Sequence, residues 1–438
     1  MIDWQGFDEA FGVLYCPDNG CPAKATRLMV GLQYLKHVYG LSDDQVVMRW
    51  VENPYWQHFC GEVYFQHHPP IDPSSMSRFR RRIGHSGCEK ILRATVDAGV
   101  RSKTVKPDDF KRVTVDTTVQ EKAVAFPTDS KLLNRSRVRL VKLCHTHGVV
   151  LRQSYARKGP EALLRANRYG HVRQMRRMGG QIKKLKTYLG RVVRDTERKI
   201  AGHKGLQAIF AGELALARRL LSQQKMDRNK LYSLHAPEVE CIGKGKAHKR
   251  YEFGVKASIA TTNRSNFIVG GMALPGNPFD GHTLPTALEQ VRRLTGCVVE
   301  EVFVDRGYRG HGEEASRVYI SGQRRGIKTQ RLKRSLKRRQ AIEPVIGHLK
   351  SDGLLGRNYL KGTEGDRMNV ALACAGHNLR LILKRLRIYC ARILGATLLR
   401  DMIGLHGTRL AASIIRWKRR MAWQTEPNST HLTLAGVV

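Results

Sequence analysis

The spacing of apolar residues first predicts a helical region near the start of the chain. Over residues 24–101, apolar side chains recur every three or four positions, which is the period of an amphipathic helix. The segment Ser42-Asp-Asp-Gln45 has the composition of a capping box and predicts the start of one helix, whereas Gly84 predicts the end of a later one. Short helices joined by tight turns predict a helical N-terminal domain over residues 1–105.

The period then changes to that of strands on either side of a second helical block. The segment Lys111–Val119 alternates β-branched and polar residues and predicts a strand that contains Asp116. Helical spacing returns over residues 129–236, approximately, and strand patterns resume at 250–260 and 266–272.

Three further elements complete the pattern. The segment TALEQVRRL predicts a helix, Cys297–Val304 predicts an apolar strand that ends on Asp305, and a helix beginning near Ser335 carries Glu343. This order of elements predicts an α/β fold: a mixed sheet with a large all-α insertion, within a domain that spans residues 106–385.

The charge of the chain indicates the class of its partner. The 438 residues include 77 Lys and Arg against 37 Asp and Glu, which gives a net charge of +40 at pH 7. Such an excess destabilises a compact chain by self-repulsion, and a polyanion relieves it, so we expect nucleic acid as the partner. Hydrophobic residues make up 41% of the chain, which excludes a disordered basic arm. Residues 386–438 predict a basic helical tail.

Missing motifs exclude several other classes of protein. The first residues lack the basic segment and apolar core of a signal peptide, and no apolar run is long enough to predict a membrane span. Nine scattered cysteines without a C-x-x-C pair argue against a disulfide framework and against a structural zinc site. A Walker A loop is absent, so we expect no nucleoside triphosphate. The chain is therefore expected to be cytoplasmic.

Two aspartates lie in or next to apolar strands, where a charge is unfavourable without a partner: Asp116 and Asp305. Bound Mg²⁺ or Mn²⁺ would explain both, and Glu343 supplies a third carboxylate. Two such ions about 3.5–4 Å apart can activate an attacking hydroxyl and stabilise the leaving oxygen of a phosphodiester. The alternative is that each aspartate is a turn or cap residue. A fourth carboxylate, Asp280, lies beside Gly281, and we expect it to be a turn residue. The alternative is that Asp280 supports the metal site.

The predicted helix around Glu343 carries two cations at helical spacing. Arg339 and Lys350 lie four residues before and seven residues after Glu343, so a continuous helix would place all three side chains on one face. An acidic ligand flanked by cations is what a metal and phosphate site requires. Alternatively, Arg339 and Glu343 form a structural ion pair. Pro344 either kinks this helix or lies in its first turn, which would leave Arg339 on the preceding segment.

Other basic residues are candidates for contact with DNA. The N-terminal domain has helix-turn-helix character, and one of its helices carries a cluster of arginines: Arg78, Arg80, Arg81 and Arg82. The alternative is a solvated face on an oligomerisation bundle. The segment 324–339 contains nine basic residues and no acidic one, and we expect its cations, including Lys333 and Arg334, to contact DNA phosphates.

In several ordered blocks the chain resembles the bacterial insertion-sequence DDE transposases, specifically the insertion-sequence-five group. The resemblance runs from about residue 41 to 383. In the N-terminal domain it rests on LSDDQVVMRWVENPYWQHFCG and DPSSMSRFRRRIG. The later blocks are VDTTVQEKAVAFPTDSKLL, YEFGVK, LPGNPFDGHTL, VFVDRGYRG and AIEPVIGHLKSDGLLGRNYLKG.

The resemblance implies a fold, a metal site and partners. It implies a ribonuclease H-like fold in which the three catalytic, metal-binding carboxylates are Asp116, Asp305 and Glu343. It also implies two Mg²⁺ or Mn²⁺ ions, double-stranded DNA as substrate, a homodimer or higher oligomer on DNA, and association with the nucleoid. The family's Y-(2)-R-(3)-E-(6)-K signature maps onto Arg339, Glu343 and Lys350. Its tyrosine position is Leu336 here, a departure that affects aromatic stacking on transposon-end DNA but not the metal site.

The sequence thus predicts a DNA transposase that binds the terminal inverted repeats of an insertion sequence and catalyses cleavage and strand transfer. Two alternatives remain open. The chain is either a catalytically inactive DNA-binding protein derived from a transposase, or a ribonuclease H-like nuclease without strand transfer.

Overall fold

The structure, a computed structural model, describes residues 1–405 except 17, 19, 21, 225, 228, 244–248 and 324–328, with the backbone alone at 396–405. The chain divides into two compact units, residues 1–379 and 380–438. The predicted basic tail, residues 386–438, is helical as far as residue 405, and its remainder lies outside the described residues.

The first five helices form the predicted helical N-terminal region. They are α1 Trp4–Gly12, α2 Thr26–Tyr39, α3 Asp43–Glu52, α4 Pro54–Phe59 and α5 Ser74–Arg101. The predicted capping box is present at the start of α3, where Ser42 Oγ accepts from the Gln45 amide at 3.1 Å and Gln45 Oε1 accepts from the Ser42 amide at 3.0 Å. Trp50 of α3 is completely buried, so the apolar face of this helix lies in the core of the bundle.

Helix α5 is interrupted at Gly84, where the helical pattern of the sequence predicts an end. Gly84 has a φ of 62° and a ψ of −167°, a conformation that side-chain-bearing residues rarely adopt. The chain re-enters helix directly afterwards and continues to Arg101. The predicted end is therefore a break inside one long element.

Within the described ranges, the sheet has six strands. They are β1 Arg112–Glu121, β2 Glu240–Gly243, β3 Tyr251–Thr262, β4 Ile268–Leu274, β5 Glu301–Val304 and β6 Arg317–Ile320. The strand order is β2-β3-β1-β5-β6, with β4 also paired to β3. Strand β3 is antiparallel to β1, whereas β5 is parallel to β1 and β6 is parallel to β5. The predicted mixed α/β sheet is confirmed, and β2 and β6 are strands that the sequence pattern did not predict.

Four helices separate β1 from β2 in the chain, and we call them the helical insertion: α6 Asp129–Thr146, α7 Lys158–His171, α8 Met175–Ile200 and α9 Lys204–Ser222. The insertion buries its own apolar cluster, with Leu189 and Phe210 completely buried. The helical prediction as far as 236 is too long, since the last helix ends at Ser222. Turn-forming residues follow, and the Asp227 carboxylate accepts from the Gln224 amide at 2.8 Å.

The remaining helices are α10 Asp280–Thr295, α11 Gln330–Arg338, α12 Ile342–Ser351 and α13 Gly362–Leu405. A 3₁₀ turn, Arg339–Ala341, separates α11 from α12, so the predicted continuous helix through Arg339 and Glu343 is wrong. Pro344 lies in the first turn of α12, where the amide hydrogen that proline lacks would have had no helical partner. This outcome is the alternative in which Arg339 belongs to the preceding segment.

The N-terminal helices pack directly against the sheet region. Glu89 of α5 accepts from Gln290 Nε2 at 2.5 Å and from Arg293 Nη2 at 2.9 Å, both on α10. Asn378 Nδ2, on α13, donates to Thr95 Oγ1 at 3.1 Å and to the Ile268 carbonyl at 2.8 Å. These hydrogen bonds join α5 to α10, β4 and α13, and those of Asn378 are buried. Across the described ranges, no helix is long and apolar enough to cross a membrane.

Candidate active site

Strand pairing brings Asp116 and Asp305 side by side. In the parallel pair of β1 and β5, Arg112 lies opposite Glu301 and Thr114 lies opposite Phe303, so partners differ by 189 in residue number (301 − 112). Continuing this register gives residue 305 as the neighbour of residue 116 (116 + 189). Asp116 lies in the middle of β1, and Asp305 directly follows β5. Two carboxylates that are far apart in the sequence therefore lie close together, one in β1 and one just after the adjacent strand β5.

The turn after β5 brings Asp280 to the same place. Asp305 Oδ1 accepts from the Gly307 amide at 2.9 Å, which fixes that carboxylate over the turn. A methyl group added at Gly307 would lie 3.1 Å from Asp305 Oδ1 and 3.4 Å from Asp280 Oδ2, so both carboxylates approach one point. Gly307 provides this close approach because it has no side chain.

Asp280 is held by two donors from neighbouring strands. Its Oδ1 accepts from Thr117 Oγ1 at 3.0 Å and from Lys256 Nζ at 3.0 Å. Asp280 is also the first residue of α10, where the helix dipole favours a negative charge. The main sequence interpretation of Asp280 as a loop-turn residue is therefore wrong, and the supporting role that was the alternative has the matching geometry.

Buried Tyr308 lies among these acidic groups. Its side chain is completely buried. Burial, followed by the negative charges of three carboxylates, raises the pKa of Tyr308: Asp116, Asp280 and Asp305. The tyrosine thus keeps its proton and faces a cluster of negative charge.

Glu343 is connected to this cluster through Arg339. The guanidinium Nη1 lies 3.6 Å from Asp116 Oδ2, and Nη2 lies 3.5 Å from Glu343 Oε1. Arg339 is largely buried, whereas the Glu343 side chain is 65% exposed. Both ion pairs are longer than a hydrogen bond, and Arg339 Nε has no hydrogen-bond partner within the described part of the chain. The arginine therefore bridges two carboxylates without being tightly held by either.

The chemistry of this centre fits a hard divalent cation. Asp116 and Asp305 would hold it, because carboxylate oxygens are the ligands that Mg²⁺ and Mn²⁺ prefer, and Glu343 would be the third ligand. In the described conformation, no three His, Cys, Asp or Glu side chains of the described residues are close enough to share an ion. Arg339 instead provides the positive charge between Asp116 and Glu343.

The remaining predicted DNA-binding residues differ in accessibility. Lys350 Nζ lies 3.8 Å from Oε2 of Glu252, a buried residue near the start of β3. Lys333 and Arg334 are exposed on α11, and the first five positions of their basic run, 324–328, lie outside the described residues.

One of the four N-terminal arginines is not available to DNA. Arg78, Arg81 and Arg82 are exposed on α5, but Arg80 is only 3% exposed and donates to both carboxylate oxygens of Asp43, at 2.9 and 2.6 Å. This burial corrects the expectation for Arg80, because a guanidinium paired inside the bundle does not reach a phosphate.

Sequence reasoning assigned no role to Lys256, Thr117 or Tyr308. Lys256 is almost completely buried in an apolar strand. The argument that singled out Asp116, a charge in an apolar strand that requires a partner, applies equally to this lysine. Thr117 and Tyr308 carry no comparable pattern, since a threonine in a strand and a tyrosine in a turn are ordinary residues there.

Two family models match the chain. The Transposase domain (DUF772) matches residues 1–82, and the Transposase DDE domain matches residues 311–383. The chain belongs to the DDE transposase family. The second match includes Arg339, Glu343 and Lys350, whereas Asp116 and Asp305 lie outside both. Members of this family generally use divalent metal ions, which agrees with the donor set described above.

A relative with no assigned function also resembles this transposase. "Uncharacterized protein ORF8 in nfe locus" of Rhizobium meliloti is 56% identical over 174 residues, which are 40% of this chain and 84% of the relative. No solved structure matches the chain significantly.

Proposed function

We propose that the protein is a DNA transposase that binds the terminal inverted repeats of an insertion sequence and catalyses DNA cleavage and strand transfer. Its catalytic residues are Asp116, Asp305 and Glu343. The observation that carries this proposal is the pairing of β1 with β5, which sets Asp116 beside Asp305, while Arg339 connects Asp116 to Glu343. A ribonuclease H-like fold is part of the proposal, and the sheet order around a central β1 supports it.

The reaction has two phosphoryl-transfer steps. Water first attacks the phosphorus at the end of the element, and the bond between that phosphorus and the 3′ oxygen of the element breaks, leaving a 3′-hydroxyl. This hydroxyl then attacks a phosphorus of the target, displaces a 3′ oxygen of the target strand and joins the two DNAs. Both steps depend on positioning and charge stabilisation, so neither needs a covalent bond to the protein.

The side chains of the site have two roles, binding metal ions and positioning the carboxylates. Asp116, Asp305 and Glu343 would hold two Mg²⁺ or Mn²⁺ ions, which would supply charge stabilisation for phosphoryl transfer. Lys256 fixes Asp280 next to Asp305 through the hydrogen bond at 3.0 Å. These contacts limit the ways in which the carboxylates can rearrange.

Basic residues around the site hold the DNA. Arg339 is loosely paired and turns to a DNA phosphate, with Lys350, Lys333 and Arg334 contacting neighbouring phosphates. In the N-terminal domain, the exposed arginines contact the terminal repeats: Arg78, Arg81 and Arg82.

The organisation of the protein follows the same proposal. Residues 1–105 form the domain for DNA binding and oligomerisation, residues 106–385 form the catalytic domain, and residues 386–438 form a basic tail. Joining requires two ends of the element in one complex, so the protein acts as a dimer or higher oligomer on DNA in the nucleoid.

The products formed from a DNA duplex that carries the terminal repeats test this proposal. The protein is incubated with Mg²⁺, with this duplex and with a supercoiled target plasmid, and the products are separated on denaturing gels. We expect cleavage at the repeat ends followed by joining to the target. Cleavage without joining would show a nuclease, and binding without cleavage would show a DNA-binding protein. Either result would overturn the proposal.

A further inference from the structure

We propose that a cavity in the helical insertion binds the phosphodiester backbone of duplex DNA, away from the catalytic carboxylates. The cavity has a volume of about 290 Å³ and is lined by four arginines, Arg152, Arg191, Arg194 and Arg198, together with Gln153, Tyr155 and Asp195. We call this set the arginine pocket. The proposal rests on the proposed function in taking DNA as the partner, and it assigns a binding surface to a part of the chain that contributes no catalytic residue.

The charges of the pocket are not balanced by the protein. Four guanidinium groups face one carboxylate, so three positive charges remain uncompensated. Arg198 is paired with Asp195, since Nη2 lies 2.5 Å from Asp195 Oδ1. The guanidinium groups of Arg152 and Arg194 make no hydrogen bond or ion pair to the described residues. Like charges gathered in this way repel each other, and an anionic ligand would relieve that repulsion.

The pocket is held in shape by contacts beneath its surface. Asp195 is only 6% exposed, and its Oδ2 accepts from the Arg152 amide at 2.7 Å, which ties the segment after α6 to helix α8. The Tyr155 hydroxyl accepts from Arg191 Nη1 at 3.2 Å, and its ring stacks on Tyr188 at 4.5 Å. These contacts fix the backbone of Arg152 and the guanidinium group of Arg191 before any ligand binds, which lowers the entropy lost on binding.

The backbone conformation of Tyr155 indicates that the arginine pocket is preformed. Tyr155 has a φ of +54°, in the left-handed region that residues with side chains seldom adopt. Such a conformation persists only where surrounding contacts hold it, and it is concentrated at ligand sites. In this position the tyrosine hydroxyl orients Arg191 toward the cavity that both residues line.

Arginine chemistry indicates the ligand class. The planar guanidinium donates two parallel hydrogen bonds that match two oxygens of a phosphate, and neighbouring arginines therefore form a phosphate clamp. A cavity of this size admits a small anionic group rather than a large apolar ligand. The chemistry is that of a phosphate, which either a free anion or a nucleic-acid backbone provides.

The arrangement of cations along α8 favours a backbone over a free anion. Lys184, Arg191, Arg194 and Arg198 fall within about 80° of one another around the helix, at 100° per residue. From residue 184 to residue 198 this row is about 21 Å long, at 1.5 Å per residue. A row of that length follows several successive phosphates of one strand, whereas a single free phosphate would use only the pocket. The +40 charge of the chain favours the same ligand.

Salt dependence of DNA binding tests the pocket directly. The affinity of the full chain for a short fluorescein-labelled duplex of arbitrary sequence is measured by anisotropy in EDTA, over a range of salt concentrations. In the double variant Arg152→Gln/Arg194→Gln, we expect the slope of log affinity against log salt to fall in magnitude by about 1.8, since each phosphate contact contributes about 0.9. A slope equal to that of the wild type would overturn the proposal.

A matched control separates the pocket from general charge. Arg165 and Arg218 are exposed cations of the same insertion, and each is already paired, with Glu161 at 2.6 Å and with Glu197 at 2.7 Å. The variant Arg165→Gln/Arg218→Gln loses the same two charges and should keep the wild-type slope. If its slope fell as far as that of the pocket variant, the binding would be non-local and the proposal would be wrong.

Two further measurements test whether the ligand is DNA bound by arginine. The variant Arg152→Lys/Arg194→Lys keeps both positive charges but loses the planar guanidinium groups, so we expect weaker DNA binding with the wild-type salt slope. A smaller slope in this variant would contradict the proposal. With a duplex RNA of the same sequence, the variant Arg152→Gln/Arg194→Gln should lose less of the salt slope than it loses with DNA. A loss of slope with RNA but not with DNA would overturn the assignment to DNA.

The binding assay and the strand-transfer assay fail independently. Binding in EDTA requires no catalysis. If the wild type failed to join DNA but the pocket variant had a smaller salt slope, only the proposed function would be contradicted. A protein that joins DNA with an unchanged slope in the pocket variant would contradict only the pocket.

Discussion

At the scale of single residues, the contacts of Asp280 are those of a carboxylate that supports a neighbouring carboxylate, Asp305. Its Oδ1 accepts from Thr117 and Lys256, each at 3.0 Å, and its Oδ2 approaches Asp305 over Gly307. Lys256 also donates to the Pro278 carbonyl at 2.6 Å, so the lysine is anchored on two sides. A buried lysine that fixes Asp280 next to Asp305 limits how these carboxylates rearrange.

We expect Asp280→Asn to slow DNA cleavage by about 10- to 100-fold, the range seen when a residue that orients a metal ligand is changed. The asparagine keeps the shape but leaves Lys256 without its charged partner. Single-turnover cleavage of a repeat-end duplex measures the rate, and anisotropy in EDTA checks that DNA affinity is retained. Asp108→Asn is the control, because that aspartate is 87% exposed and pairs only with Lys111. Equal rates for Asp280→Asn and the wild type would show that Asp280 is not a positioning residue.

A second residue-scale feature is the ion pair that removes Arg80 from the DNA surface. Burial raises the pKa of Asp43, but hydrogen bonds from Arg80 and the charges of Lys36 and Arg80 outweigh it and lower the pKa to about 2. Lys36 Nζ lies 2.7 Å from Asp43 Oδ1. One carboxylate, that of Asp43, thus pairs with two cations inside the N-terminal helices.

Asp43→Asn should lower the free energy of unfolding of the N-terminal helices by roughly 2 to 3 kcal/mol, because Arg80 is left buried without a counter-charge. Native-state hydrogen exchange of α2, α3 and α5 measures this change. Asp44→Asn, the exposed neighbour in the same helical turn, should change stability by less than about 0.5 kcal/mol. If both variants were equally stable, the pair would contribute nothing.

The same pair predicts a pH dependence. The folded pKa of Asp43, about 2, lies below its ordinary value of 3.8, so its stabilisation is complete above pH 3.8 and is lost as the pH falls toward 2. We expect the stabilities of the wild type and Asp43→Asn to converge over this window. A difference that stayed constant down to pH 2 would contradict the assignment.

Among the elements, the break in α5 separates two helical stretches that make different contacts. The residues before Gly84 include the exposed arginines, and those after it pack on α10 and α13 through Glu89 and Thr95. A glycine with positive φ lets both stretches keep their own directions.

Gly84→Ala should destabilise the protein by about 1 to 3 kcal/mol, the range for a residue with a side chain held in a rarely populated backbone conformation. Nothing lies within 4 Å of the added methyl group, so the effect would come from the backbone alone. Gly180→Ala is the matched control: it lies inside α8 with equally open space and should be neutral or stabilising. Urea denaturation compares the two variants, and equal midpoints would contradict the backbone argument.

The elements also show how much of the fold the sequence predicts. Strands β1, β3 and β4 are long and rich in β-branched residues, so their pattern is visible in the sequence. Strand β5 has only four residues but ends the longer run Cys297–Val304, which is visible in the sequence. Strands β2 and β6 also have four residues each, too few to show an alternation, and they depend on pairing with a neighbour.

The same limit applies to the candidate site. Sequence patterns propose Asp116 and Asp305 as charges in or beside apolar strands, but their adjacency depends on the β1–β5 register, which no local pattern reveals. The cluster Arg78, Arg80, Arg81 and Arg82 is likewise visible in the sequence, but membership of the cluster does not distinguish buried Arg80 from its exposed neighbours. That difference is set by Asp43, which lies 37 residues earlier in the chain.

For the whole molecule, the sheet assembles an acidic centre within a chain whose net charge is +40. The helical insertion, with its own apolar core, adds the arginine pocket to the basic residues of α5 and α11. The account as a whole depends on one claim, that Asp116, Asp305 and Glu343 act together in phosphoryl transfer.

Cleavage by carboxylate-to-amide variants tests that claim most directly. The single-turnover rate on a repeat-end duplex with Mg²⁺ is compared among Asp116→Asn, Asp305→Asn, Glu343→Gln and the control Glu300→Gln, whose side chain is 61% exposed. We expect each of the three site variants to lose about 100-fold or more in rate while binding DNA as the wild type does, and the control to keep its rate. Wild-type rates in any one of the three site variants, with DNA binding intact, would contradict the proposed triad.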